Sequence, residues 1–138
     1  MRLYNIHGRL QNKDVTRFRI KWNKKSRSKV QFAVKKFLQP YWKGHVVYEE
    51  FPVFGSRMKV DIVNMTKKIA IEVQGSQHSS FNAFFHSNSR AKYLESIKRD
   101  VKKAQWLEKN EINLIEIDEK EAYKLSKEFF KEKFDLIL

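Results

Sequence analysis

Residues 46–74, VVYEEFPVFGSRMKVDIVNMTKKIAIEVQ, decide the fold, because they hold three short runs of strand-forming residues separated by turn-forming ones. The runs 46–54 and 57–64 flank Gly55-Ser56, a glycine-first pair that suits a two-residue type II′ hairpin turn. The third run covers residues 68–74. We therefore predict three consecutive antiparallel strands.

The pairing of these strands predicts a row of carboxylates. If the two turns are centred on residues 55–56 and 66–67, Glu50 lies opposite Asp61, and Asp61 lies opposite Glu72. Directly opposed like charges destabilise a sheet, so such a row needs a compensating cation or a place in solvent. Carboxylate oxygens suit hard cations, and we predict that Glu50, Asp61 and Glu72 bind Mg²⁺ or Mn²⁺.

The same register assigns the neighbouring side chains to faces of the sheet. Side chains alternate along a strand, so Lys59 and Gln74 share the face of the acids. The other face is predicted to be the core, and it holds Val60, Ile62, Ile71 and Val73. For any single acid, an ordinary polar strand face is the alternative explanation.

Helical periodicity appears on both sides of the strands. Apolar residues recur at spacings of three and four from residue 28 to 38, before Pro40, and again across residues 90–109. Residues 112–117 predict a fourth strand, and a capping-box pattern at Asp118 opens a last helix to about residue 134. The fold class is α/β (α+β), a mixed sheet flanked by helices.

Charge is distributed unevenly along the 138 residues, which carry a net charge of +13. Residues 1–44 contain thirteen Lys or Arg and one acid, whereas residues 45–89 contain four of each. We predict a basic N-terminal arm over residues 1–27, a single domain over 28–138, and nucleic acid as the partner. A merely solvated basic segment is the alternative. Phosphate contacts are expected from Lys21, Lys24, Lys25, Arg27 and Lys29.

Composition excludes several other classes of protein. The chain has no cysteine, which removes disulfides, thiolate nucleophiles and cysteine-bound zinc. Its sequence shows no secretory signal and no apolar run long enough to span a membrane. We expect a cytoplasmic protein with no membrane partner, and we keep a homodimer as an open possibility.

Two segments, EEFPVFGSRMKVDIV (residues 49–63) and KKIAIEVQGSQH (residues 67–78), resemble the PD-(D/E)XK nuclease superfamily. They are most similar to its very-short-patch-repair-like branch, with phage and homing endonuclease relatives, and DVKKAQWLEKNEINLIEI (residues 100–117) fits that group's helix and closing strand. The resemblance implies a restriction-endonuclease-like αβββαβ core and a Mg²⁺-dependent DNA endonuclease. It also implies that Asp61 and Glu72 are the metal-binding acids.

Gln74 departs from this pattern, because it occupies the position of the family's lysine and carries no charge. A stand-in cation is expected from Lys59, Lys98 or Lys102. A non-catalytic nucleic-acid-binding module on a degenerate nuclease fold is therefore the alternative function. The predicted catalytic set is Glu50, Lys59, Asp61, Glu72 and Gln74, and the predicted nucleic-acid contacts also include His78, Lys98 and Lys102.

The loop after residue 74 carries further candidates. His78 is predicted to face a phosphate or to support the acids, while His78 and His86 together make a poor zinc site because no cysteine accompanies them. Phe81, Phe84 and Phe85 either contact bases or anchor the loop.

Overall fold

A mixed sheet with helices on both faces organises the chain. The computed structural model describes residues 1–75 and 90–138. The strands are β1 (Arg2–Tyr4), β2 (Leu10–Asn12), β3 (Val47–Pro52), β4 (Lys59–Asn64), β5 (Ile69–Gln74) and β6 (Asn113–Asp118). The helices are α1 (Lys29–Trp42), α2 (Arg90–Lys109), α3 (Glu119–Ala122) and α4 (Lys127–Phe134). The predicted α/β class with a mixed, helix-flanked sheet is confirmed.

The main sheet has the order β3-β4-β5-β6, with three antiparallel strands and β6 parallel to β5. The predicted register is confirmed at Val47 opposite Asn64 and at Ile62 opposite Ile71. The parallel β6 requires a crossover between it and β5. Helix α2 lies within this connection in the sequence.

The predicted two-residue turn at Gly55-Ser56 is wrong in type. The Ser56 N–H donates to the Val53 carbonyl at 3.1 Å, so the turn runs from Val53 to Ser56 with Gly55 at its third position. Gly55 has φ +86°, the left-handed value that this position of a type II turn requires. Because the Val53 N–H also donates to the Met58 carbonyl, the loop has the predicted centre and the register is unchanged.

Apolar side chains fill both faces of the sheet. One core joins β-strand residues such as Ile62 and Ile71 to Leu38 and Trp42 of α1. The other core packs Val60, Val63 and Phe51 against Trp106 and Leu107 of α2. The prediction that Val60 shares the core of Ile62 is wrong, because Val60 packs in the core on the α2 side of the sheet and Ile62 packs in the core on the α1 side.

Two helix boundaries differ from the sequence predictions. Helix α1 runs through Pro40 to Trp42, whereas Pro40 was expected to stop it. The longer helix buries Trp42 completely. This burial outweighs the loss of the one backbone hydrogen bond that proline removes. The last helix is two helices, because Ser126 accepts a hydrogen bond from the Phe129 N–H and caps a new start. The predicted capping box at Asp118 and Glu121 is confirmed.

The N-terminal residues pack onto the sheet. Strands β1 and β2 form a hairpin, and Leu3 and Val15 are buried in the core beneath α2. The Ile6 N–H donates to the Phe54 carbonyl at 2.9 Å, and Trp106 Nε1 donates to the Tyr4 carbonyl at 2.6 Å. Within the described ranges, no helix is both long and apolar enough to cross a bilayer.

Candidate active site

Asp61 and Glu72 meet where β4 and β5 stop pairing. The last paired residues of β4 and β5 are Ile62 and Ile71, each next to one of the two acids. Asp61 Oδ2 accepts a hydrogen bond from the Val73 N–H at 2.8 Å, so the carboxylate binds the backbone of β5 at this point. This contact leaves Asp61 only 5% exposed at the edge of a cleft of about 480 Å³.

The environment of Glu72 favours its protonated form. Burial first, and then the charge of the nearby Asp61 carboxyl group, raise the pKa of Glu72 from 4.5 to about 8. Lys103 acts in the opposite direction and lowers this pKa. Glu72 therefore keeps a proton at neutral pH unless a further cation enters the cleft.

Lys103 of α2 contacts the acid pair through Glu72. Its Nζ donates to Glu72 Oε1, and its side chain is 17% exposed. The position follows from helical geometry, because Lys103 precedes the buried Leu107 by four residues and so shares its face. Sequence reasoning missed Lys103, although the spacing to Leu107 was a signal that could have found it.

The other predicted cations divide into two groups. Lys59 and Gln74 line the cleft as expected. Lys98 and Lys102 are exposed on α2 and are absent from the cleft lining. Of the five predicted phosphate-contacting residues between Lys21 and Lys29, Arg27 lines the cleft. Further charged residues in the lining are Arg57, Arg99, Asp100 and Glu116.

Glu50 takes a different direction from the other two acids. Its carboxylate lies 3.3 Å from Gln31 Nε2 and 3.9 Å from Arg27 Nε, and Glu50 is absent from the cleft lining. Glu50 has a φ of +52°, and the pairing of β3 with β4 skips Glu50 and Asp61. In the described part of the chain, no three acid or histidine side chains are grouped as a metal site. His78, His86 and the three loop phenylalanines lie outside the described residues.

Asp61 and Glu72 fit a magnesium ion by the chemistry of their donors. Mg²⁺ in proteins commonly uses one or two carboxylates, with water and substrate phosphate completing its coordination. The two acids lie on adjacent strands and both line the cleft, so they are placed to share one ligand. A bound cation would take the place of the proton on Glu72.

No protein-family model matches the chain, and no solved structure matches it. The sequence is similar to the Uncharacterized protein 033L of Invertebrate iridescent virus 3, with 31% identity over 87 residues. This match covers 63% of the chain and 44% of the viral protein, so the chain spans less than half of that relative's length.

Proposed function

We propose that this protein is a metal-dependent DNA endonuclease that hydrolyses phosphodiester bonds at Asp61 and Glu72. The observation that carries the proposal is the pairing of these two carboxyl groups inside a cleft whose lining includes arginines and lysines. A cleft that combines hard oxygen ligands with phosphate-binding cations suits a phosphodiester substrate.

The order of elements supports the same proposal. Helix α1, the strands β3 to β5, helix α2 and the parallel strand β6 follow one another as in the αβββαβ core implied by the nuclease resemblance. Asp61 and Glu72 occupy adjacent central strands of this sheet. We therefore propose a restriction-endonuclease-like core of the PD-(D/E)XK type. The nuclease resemblance is also the basis on which we propose an association with a phage or mobile element.

Phosphodiester hydrolysis needs an activated water and stabilisation of charge on the phosphoryl and leaving oxygens. Mg²⁺ or Mn²⁺ held by Asp61 and Glu72 would supply Lewis acidity and lower the pKa of bound water. The hydrogen bond from the Val73 N–H fixes Asp61 Oδ2 and thereby orients the carboxylate toward the cleft. Arg57 and Arg99 in the lining are placed to bind substrate phosphates.

Lys103 supplies the positive charge that Gln74 lacks. It reaches the acid pair from α2, whereas position 74 would reach it from β5. Because its ammonium is largely shielded from solvent, its field at the reacting phosphate is stronger than that of an exposed lysine. We propose Lys103 for this role instead of Lys98 and Lys102, because those two lysines lie outside the cleft lining.

A cleavage assay tests the proposal. With Mg²⁺ or Mn²⁺, purified protein should cut at least one member of a panel of supercoiled, mismatched, four-way-junction and single-stranded DNA. Asp61→Ala and Glu72→Ala should abolish cutting and leave DNA binding intact, while the control Glu128→Gln, at an exposed position of α4, should cut normally. Undiminished cleavage by both alanine variants would overturn the assignment.

Gln74 favours a second candidate, a non-catalytic nucleic-acid-binding module. This candidate predicts salt-sensitive DNA binding that is independent of metal. Calorimetric titration with Mg²⁺ separates the two functions, because metal binding that is lost in Glu72→Ala contradicts the non-catalytic alternative.

A further inference from the structure

Lys35 is a fully buried lysine that the proposed chemistry does not use. Its Nζ donates to Glu49 Oε1 at 2.8 Å and to the Lys24 carbonyl at 2.7 Å, and its side chain is 0% exposed. Burying an ammonium is costly, and a buried ion pair is often no more stable than apolar residues of the same volume. The pair therefore calls for an explanation other than stability.

The contacts of the pair connect three parts of the fold. Lys35 lies on α1, Glu49 lies on β3, and Lys24 belongs to the basic segment before α1. Glu49 Oε2 also accepts hydrogen bonds from Ser26 Oγ at 2.5 Å and from Gln31 Nε2 at 2.9 Å. The ion pair of the buried Lys35 with the partly buried Glu49 thus fastens the basic segment to the sheet at Lys24 and at Ser26.

Arg27 follows directly after these fastened residues. Ser28, on its other side, caps α1 by accepting a hydrogen bond from the Gln31 N–H at 3.1 Å. Arg27 is therefore held between two anchored neighbours while its own side chain remains 73% exposed. Its Nε lies 3.9 Å from Glu50 Oε1, and the side chain lines the cleft that contains Asp61 and Glu72.

We propose that the buried Lys35–Glu49 pair positions Arg27 to bind a backbone phosphate of the nucleic acid in this cleft. The proposal rests on the proposed function, because it takes the substrate to be a phosphodiester chain. Arg27 suits the task, since an exposed guanidinium presents several N–H donors in a geometry that matches phosphate oxygens. Lys35 and Glu49 are positioning residues in this arrangement.

Binding of a short fluorescein-labelled duplex in EDTA tests the proposal without any cleavage. Arg27→Gln should weaken binding and reduce the slope of log K against log salt by about one, as expected for the loss of one phosphate contact. Lys124→Gln, the same charge change on an exposed residue outside the described cleft lining, should leave that slope within error.

A double-mutant cycle isolates the positioning role. The variant K35M/E49L replaces the ion pair with apolar side chains and should lose as much affinity as Arg27→Gln. Adding Arg27→Gln to it should cause no further loss, because Arg27 is already misplaced. Additive losses, or an unchanged salt slope in Arg27→Gln, would overturn the proposal.

Ser26→Ala keeps the test valid if K35M/E49L does not fold. It removes one of the two anchor points and leaves the buried pair intact, so it should shrink the effect of Arg27→Gln. An undiminished Arg27 effect in that background would contradict the positioning role. If wild-type protein bound no DNA, the proposed function itself would fail, whereas binding with an unchanged slope in Arg27→Gln removes only the Arg27 assignment.

Discussion

At the scale of single residues, Lys103 acts in opposite directions on metal binding and on catalysis through its contact with Glu72. The ammonium of Lys103 bonds the carboxyl oxygen that a metal ion would use. It therefore competes with the metal for Glu72, and it also supplies positive charge to the reacting phosphate. A residue that only supported the fold would not act in opposite directions on these two properties.

Lys103→Gln should lower kcat for cleavage by about 10²-fold, the usual order for one electrostatic group in an active site. It should also strengthen Mn²⁺ binding, measured by calorimetry without DNA. Gln74→Lys should restore part of kcat in the Lys103→Gln background, because it places the charge on β5 instead. The matched control is Lys102→Gln, which removes an exposed charge from the same helix. Equal losses of kcat and of metal affinity would contradict the role of Lys103.

The raised pKa of Glu72 predicts how the metal-free protein responds to pH. The folded pKa is about 8 and the ordinary value is 4.5, so the folded state binds more protons than the unfolded state between these values. Stability should therefore fall as the pH rises from about 4.5 to 8, on the order of 1 kcal/mol for each unit in which the difference is fully expressed. Urea unfolding in EDTA measures this slope, and Glu72→Gln should flatten it. An identical slope in both proteins would contradict the assignment.

At the scale of elements, the sequence predicts the pairing of strands better than the direction of single side chains. The positions of Gly55 and the Thr66-Lys67 turn were sufficient to set the register of β3, β4 and β5. The direction of Glu50 was not predictable from alternation, because its positive φ turns its carboxylate toward Gln31. The contact between Lys103 and Glu72 depends on where α2 packs on the sheet. A periodic pattern predicts which face of a helix is buried, but it does not predict where the helix lies on the sheet.

Helix α1 offers a test of the balance between burial and backbone hydrogen bonding. Pro40 has no N–H to donate inside the helix, and the residue is exposed. Pro40→Ala restores a donor and should raise the free energy of unfolding by up to about 3 kcal/mol. Ser28→Ala removes the N-cap of the same helix and should lower it by about 1 kcal/mol. Urea titration measures both, and a loss of stability in Pro40→Ala would show that the proline ring contributes contacts of its own.

At the scale of the whole molecule, the basic N-terminal third has two roles that different residues of the same segment carry. It supplies most of the excess positive charge, and it also contributes Leu3 and Val15 to the core beneath α2. Its hairpin is joined to α2 through the Tyr4 backbone, which bonds both Trp106 and Asn110. Charge and stability can therefore be separated only by variants that leave these contacts in place.

Deletion of residues 1–13 should lower the free energy of unfolding by about 3–5 kcal/mol, because it exposes core surface and leaves the buried Asn110 without its Tyr4 partners. Replacing the exposed Arg2 and Arg9 with glutamine should change stability by less than about 0.5 kcal/mol each. Urea unfolding measures the stability, and duplex binding at two salt concentrations measures the lost charge. The contacts of Tyr4 and Leu3 lead us to expect that the hairpin stabilises the fold. Full stability of the deleted protein would contradict this and show that the hairpin is an independent arm.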